Sequence, residues 1–132
     1  STLSSSSAAS DVYKRQYYQW SALLRALSSF EAFNEIYRNA PGAEQVSEML
    51  LLRADVPRSL HACVEELDQI LAALPGDNGR PAQRLAAELN ARLRYTGINE
   101  ILDSGLHQWL TDCIAQIRHL GQTVHESYLE VV

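Results

Sequence analysis

Near the C-terminus, apolar residues recur every three or four positions without a break: Leu106, Trp109, Leu110, Cys113, Ile114, Ile117, Leu120, Val124 and Tyr128. That spacing puts them on one side of an α-helix of about six turns. Gly121 lies within the seam and costs about 1 kcal/mol relative to alanine, too little to break it. Such a seam is buried by packing on other helices. No segment of the chain shows the alternation of a β-strand, so the fold class is all-α.

The rest of the chain supplies the partners. Residues 17–38 read as one helix, with Trp20, Leu23, Leu24, Leu27, Phe30, Ile36 and Tyr37 near a 3–4 spacing and a stop at Asn39-Ala-Pro41-Gly42. A short helix over 43–52 carries Val46, Met49 and Leu50, widened by Leu51 and Leu52, which predicts burial on more than one side. Asp55 reads as the N-cap of a third helix over 57–74, with Pro57 in its first turn. Pro75-Gly-Asp-Asn-Gly79 ends that helix as an exposed loop. Pro81 opens a fourth, running through Gly97 to Leu102, and Asp103 or Ser104 can cap the last. Short connections favour an antiparallel bundle of about five helices.

Composition excludes several function classes. The 132 residues carry a formal charge of −5, unfavourable for binding nucleic acid or an anionic membrane. No run approaches the roughly 18 apolar residues of a membrane span, and no secretory signal is visible. The chain reads as cytoplasmic. Cys63 and Cys113 lie far apart without metal-ligand spacing, and read as small buried hydrophobes.

Residues 1–16 differ in composition from the remainder of the chain. They hold six of the thirteen serines in their first ten positions, and Lys14 is the only lysine. The string DVYKRQ over 11–16 resembles the translated end sequence of a transposase used in library preparation. Residues 6–10, SSAAS, resemble the adapter upstream of it in the same frame. Residues 1–16 are therefore expected to be adapter-derived, non-native and disordered. The natural part is expected to be 17–132, truncated at its N-terminus. It carries nine arginines, no lysine and fifteen acids, a net charge of −6, and its Ala, Leu and Arg usage suggests a GC-rich bacterial genome. If missing helices cover Leu50–Leu52 or the Trp20 face, an apolar patch is left open.

Chemistry-bearing patterns are sparse. His61, His107, His119 and His125 flank the apolar stripes and read as partly exposed surface residues; no metal site is expected, since a bundle metal centre needs several carboxylates and histidines converging from facing helices. Glu65 and Glu66 read as a solvated face. No phosphate loop, GxSxG elbow, CxxC or ordered triad occurs, and no cofactor is implied. The aromatic residues read as packing. The segment MLLLRADVPRSL is the exception. Arg58 sits at a helix start, where the macrodipole disfavours a cation by a few tenths of a kcal/mol. Either it pairs with a carboxylate such as Glu31, Glu35 or Glu48, or Arg58, Ser59 and Asp55 contact an anion or a partner.

Those segments carry a resemblance. Trp20-Ser-Ala-Leu-Leu-Arg25, the FEAF–Y pattern over 30–37, Leu50-Leu-Leu52, Pro57-Arg-Ser59, and Gly105-Leu-His107 with its spacing to Tyr128 are similar to the bacterial alpha-E domain. The resemblance covers residues 17–132, and Arg53 departs from the acid expected there. It implies an all-helical protein about twice this length, with Glu-Arg motifs upstream. It also implies neighbours: an ATP-grasp protein and transglutaminase-like peptidases. The implied role is an accessory or interaction domain in peptide synthesis or modification. Two alternatives stand beside it: an enzyme whose acidic site residues lie in the missing half, or a structural oligomerising bundle.

Overall fold

The computed structural model describes residues 2–129, with side chains from residue 8 onward. The extreme ends of the expected leader and of the natural segment, residues 1 and 130–132, lie outside the described residues. Among the described residues there are helices and no strands. The chain divides into two compact units between Met49 and Leu50.

The first unit holds α1 (Thr2–Ala26), α2 (Phe30–Tyr37) and α3 (Ala43–Ser47). Leu24, Phe33, Val46 and Met49 are its fully buried apolar side chains, and α1 packs on both α2 and α3. Phe33 stacks on Tyr37 with ring centroids 4.9 Å apart, and Tyr37 Oη donates to Glu48 Oε1 at 2.7 Å.

The helix α1 runs through residues 2–16, of which residues 8–16 are all exposed. A helix already nucleated over 17–26 extends into an Ala/Ser stretch because each added residue costs little once the first turn exists. One expectation for this unit is corrected: the single helix over 17–38 is instead two. Ser28 takes a left-handed conformation, φ 53°. Its N–H donates to Arg25 O at 3.0 Å, and that of Ser29 to Leu24 O at 2.8 Å. This pair of bonds is a Schellman C-cap with serine where glycine is usual. The expected stop at residues 39–42 is present, with Gly42 as the N-cap of α3.

The helix of α3 continues as a π-helical turn, Glu48–Leu52, which carries the chain into the second unit. There follow α4 (Leu60–Ala73), α5 (Arg80–Tyr95), α6 (Ile98–Ser104), α7 (Leu106–Val124) and a terminal π-helical turn, His125–Leu129. One core cluster joins Val64 and Leu71 of α4, Ala86, Leu89 and Leu93 of α5, and Trp109, Cys113 and Leu120 of α7.

Side-chain pairs fix the directions. Gln83 Nε2 donates to Leu71 O (2.8 Å) and Asn90 Nδ2 to Asp68 Oδ2 (3.0 Å), and Arg94 Nη2 lies 3.7 Å from Glu65 Oε1. Partner numbers fall as α5 rises, so α4 and α5 are antiparallel. Arg92 stacks over Trp109 at 5.2 Å and bonds Gln116, while Asn78, before α5, donates to Ser127 O at 2.8 Å. Thus α5 and α7 are antiparallel too.

The breaks in this unit differ from expectation at two points. The fourth helix does not pass through Gly97: α5 ends at Tyr95, and extended Gly97 (ψ 153°) starts α6. The Thr96 hydroxyl bonds back to Arg92 O, helping to close α5. Neither Asp103 nor Ser104 caps α7. Ser104 Oγ turns back to Ile101 O at 3.1 Å, and Gly105, φ 96°, ends α6 and starts α7 by itself. Pro81 sits in the first turn of α5 as expected.

Apolar exposure also falls in an unexpected place. Leu50, Leu51, Leu52 and Trp20 are half-buried. The exposed large aliphatic side chains of α4, its C-cap and α7 are Ile70, Leu74, Ile114 and Ile117.

Candidate functional site

The segment between the π-helical turn and α4 winds tightly. Val56 N–H donates to Arg53 O (3.2 Å), and Ser59 N–H to Val56 O (3.0 Å). These turns bring Ser59 under Arg53 and set the start of α4 at Leu60.

Ser59, not Asp55, caps that helix. Its backbone is extended (φ −71°, ψ 156°), and its hydroxyl accepts the Ala62 N–H at 3.0 Å. The same hydroxyl donates to Arg53 O at 2.6 Å, and the residue is wholly buried. The backbone turns at Val56 and Ser59 hold Pro57 outside the helix, leaving Asp55 four residues short of the cap position. An N-cap in a closed environment is worth about 1–2 kcal/mol.

Asp55 is exposed and takes a different role. Arg53 grips it with two bonds, Nε to Oδ1 at 3.0 Å and Nη2 to Oδ2 at 2.6 Å. The guanidinium hydrogen bond holds the carboxyl below the usual carboxylate range. Arg58 is exposed and lies immediately before the cap, outside the helix rather than in its first turn. The structure therefore gathers Arg53, Asp55 and Ser59 into one wrapped turn and leaves the Arg58 side chain on its surface.

His61 is the residue that sequence reasoning missed. It is buried, not a surface histidine. Its Nδ1 lies 2.9 Å from Leu52 O; a carbonyl only accepts, so Nδ1 is the donor of this bond. Nε2 is buried without a hydrogen-bond partner. The available signal was register: His61 precedes the buried Val64 and Leu71 by three and ten residues, on one helix face. His107, His119 and His125 are exposed.

Chemically, the turn is a scaffold. The Ser59 hydroxyl has both its proton and an acceptor lone pair committed, so no base is placed to activate it as a nucleophile. Among the described residues no three His, Cys, Asp or Glu side chains group as metal ligands. Cys113 is buried, and burial pushes its thiol upward, whereas Cys63 is exposed, contrary to the expectation of two buried thiols. Its place on α4 puts it at the edge of the buried stripe, where half a turn decides exposure. Within the first unit, Arg25 lies 4.3 Å over the Phe30 ring beside an open depression of about 350 Å³ shared with Ser28 and Glu31.

A family model described as a predicted alpha-helical domain with a conserved ER motif matches residues 1–129. The chain belongs to the Alpha-E family. No curated protein and no solved structure matches it. The Alpha-E match takes in residues 1–16 together with 17–129. No Glu-Arg dipeptide occurs in this Alpha-E chain, so the motif of that description has no contiguous counterpart here.

Proposed function

We propose that this Alpha-E chain is an accessory or interaction domain, cytoplasmic and bacterial, that works with an ATP-grasp ligase and a transglutaminase-like peptidase in peptide synthesis or modification. The observation that carries the non-catalytic part of this reading is the state of Ser59. Its hydroxyl is buried and both donates and accepts in holding the turn, while the Arg58 side chain is exposed on the segment's surface, as is Asp55. A rigid turn presenting an arginine suits recognition of an acidic partner surface better than bond cleavage. The ATP-grasp and peptidase partners come from the family resemblance. No described helix is long and apolar enough to cross a membrane, which is compatible with this location.

The test is recovery of partners from the native host with the full-length protein as bait. An ATP-grasp protein or a transglutaminase-like peptidase is expected among the captured proteins. Arg58→Glu is expected to lower that recovery about tenfold, equivalent to ~1.4 kcal/mol, without changing the circular dichroism spectrum. Recovery of neither partner overturns the reading. Turnover of ATP or of a peptide by the protein alone replaces it with an enzymatic one.

A further inference from the structure

The four exposed isoleucine and leucine side chains of α4 and α7 are not scattered. On α4, Leu60, Cys63, Leu67, Ile70 and Leu74 alternate steps of three and four, beside the buried stripe of Val64 and Leu71. On α7, Leu110, Ile114, Ile117, Gly121, Val124 and Tyr128 do the same, beside the buried stripe of Trp109, Cys113 and Leu120. Each helix thus carries a second seam with the 3.5-residue period of helix-on-helix packing. Ile70 is 53% exposed, Ile114 48% and Ile117 38%, so each seam is open at these positions, while Leu60, Leu67, Leu110, Val124 and Tyr128 pack partly against the core. A Cβ at Gly121 meets nothing within 4 Å, which leaves that seam flat enough for close approach.

Both seams face the same way. Since a helix turns about 100° per residue, the outer seam lies about 70–80° from the α5-facing stripe on each helix, in opposite senses on α4 and α7. The two helices run parallel to one another, both antiparallel to α5, and each packs on α5 rather than on the other. Opposite rotations on two parallel helices flanking a third turn both seams to one side of the layer. That side exposes Ile70, Leu74, Ile114 and Ile117 as an apolar face.

Its two rims differ in charge. Beyond Ile70 the α4 rim carries Glu66; beyond Ile114 the α7 rim carries His107 and Arg118. Glu66 and Arg118 are exposed, and neither makes an ion pair among the described residues. The Glu65–Arg94 and Arg92–Gln116 pairs place Glu66 at a height between His107 and Arg118. A two-fold axis parallel to the helices lays α4 of one copy on α7 of the other, acidic rim on basic rim. An axis perpendicular to the helices sets like rim on like rim.

We propose that this face binds a second copy of the same chain, with α4 of each protomer along α7 of its partner and Glu66 opposite Arg118. This inference is independent of the reading of Arg58. Sedimentation equilibrium of the whole chain is expected to give a dimer. Ile114→Glu and Ile117→Glu replace exposed side chains and are expected to yield folded monomers by circular dichroism. Glu66→Arg and Arg118→Glu are each expected to weaken dimerisation about tenfold, and the double exchange to restore it to within about threefold. A monomer at every concentration overturns the proposal and leaves the face to a different partner. A dimer indifferent to Ile114→Glu, or a double exchange no tighter than the singles, overturns it equally.

Discussion

Tyr128 brings its phenol oxygen so close to Gly79 that a Cβ on the glycine would fall 1.5 Å from it. Alongside, Asn78 donates to Ser127 O, so the α4–α5 loop is latched to the terminal π-helical turn. Gly79→Ala must push the ring away, and is expected to cost about 1–3 kcal/mol. The Tyr128 hydroxyl is buried without a hydrogen-bond partner. Tyr128→Phe is therefore expected to be neutral or slightly stabilising alone, and to recover part of the Gly79→Ala loss. Thermal melts of both single variants and the double variant check this; simple additivity would count against the contact.

Ser28 holds a positive φ that glycine adopts without penalty. Ser28→Gly is expected to raise stability by up to about 1 kcal/mol, and a β-branched residue there to lower it. Denaturant midpoints for Ser28→Gly and Ser28→Val measure the difference, and the reverse order would remove the strain argument.

Ser59→Ala removes the cap on Ala62 N–H and one of two donors to the Arg53 carbonyl, which keeps its bond from Val56 N–H. A loss of about 1–2 kcal/mol is expected, mainly from the cap. Asp55→Asn, losing only an exposed ion pair, is expected to move the midpoint far less. Equal effects at the two positions would reinstate Asp55 as the structural residue.

The two thiols differ in access and in acidity. Alkylation at pH 8 is expected to label Cys63 quickly and Cys113 only as the protein opens. Burial raises the Cys113 pKa, so the folded state keeps this proton longer than the unfolded chain does. Its contribution to stability is complete below the ordinary thiol range and is lost as the pH rises through the raised value. Unfolding followed from pH 7 to pH 10 is expected to show this decline, and Cys113→Ala to flatten it.

Residues 8–16 bury nothing. Deleting residues 1–15 is expected to leave the midpoint within about 0.5 kcal/mol. Hydrogen exchange in the intact chain is expected to show little protection over 8–15, since these helical turns are supported by their own backbone bonds alone. A larger loss on deletion would tie the segment to the fold.

The helical class and most helix ends were legible because proline and glycine mark them: Asn39–Gly42, Pro75–Gly79 and Pro81 all fall where the chain breaks. The Ser28 break was not, because a serine in the left-handed region has no sequence signature. The Thr96–Gly97 break was ambiguous for the converse reason, since a helix tolerates one glycine. At the wrapped turn, sequence singled out Asp55, Arg58 and Ser59 but gave the cap to Asp55 instead of Ser59. Both are good capping residues, and only the backbone turns at Val56 and Ser59 decide between them. Periodicity likewise gave the angle of Ile114 and Ile117 without saying whether a neighbour fills it. The register of His61 with Val64 and Leu71 hinted at its burial, but its hydrogen-bond partner is a carbonyl nine residues upstream, which local pattern does not reach.

Gly105 ends one helix and begins the next with no residue to spare. Such a joint has two torsions and no slack. Lengthening it by one residue would swing α6 off α7 through a wide arc, whereas the loop over 75–77, ahead of the Asn78 latch, has room to absorb an insertion. Tolerance to inserted residues should therefore be steeply unequal between these two connections, and tag placement or domain grafting belongs at the loop, never at the hinge.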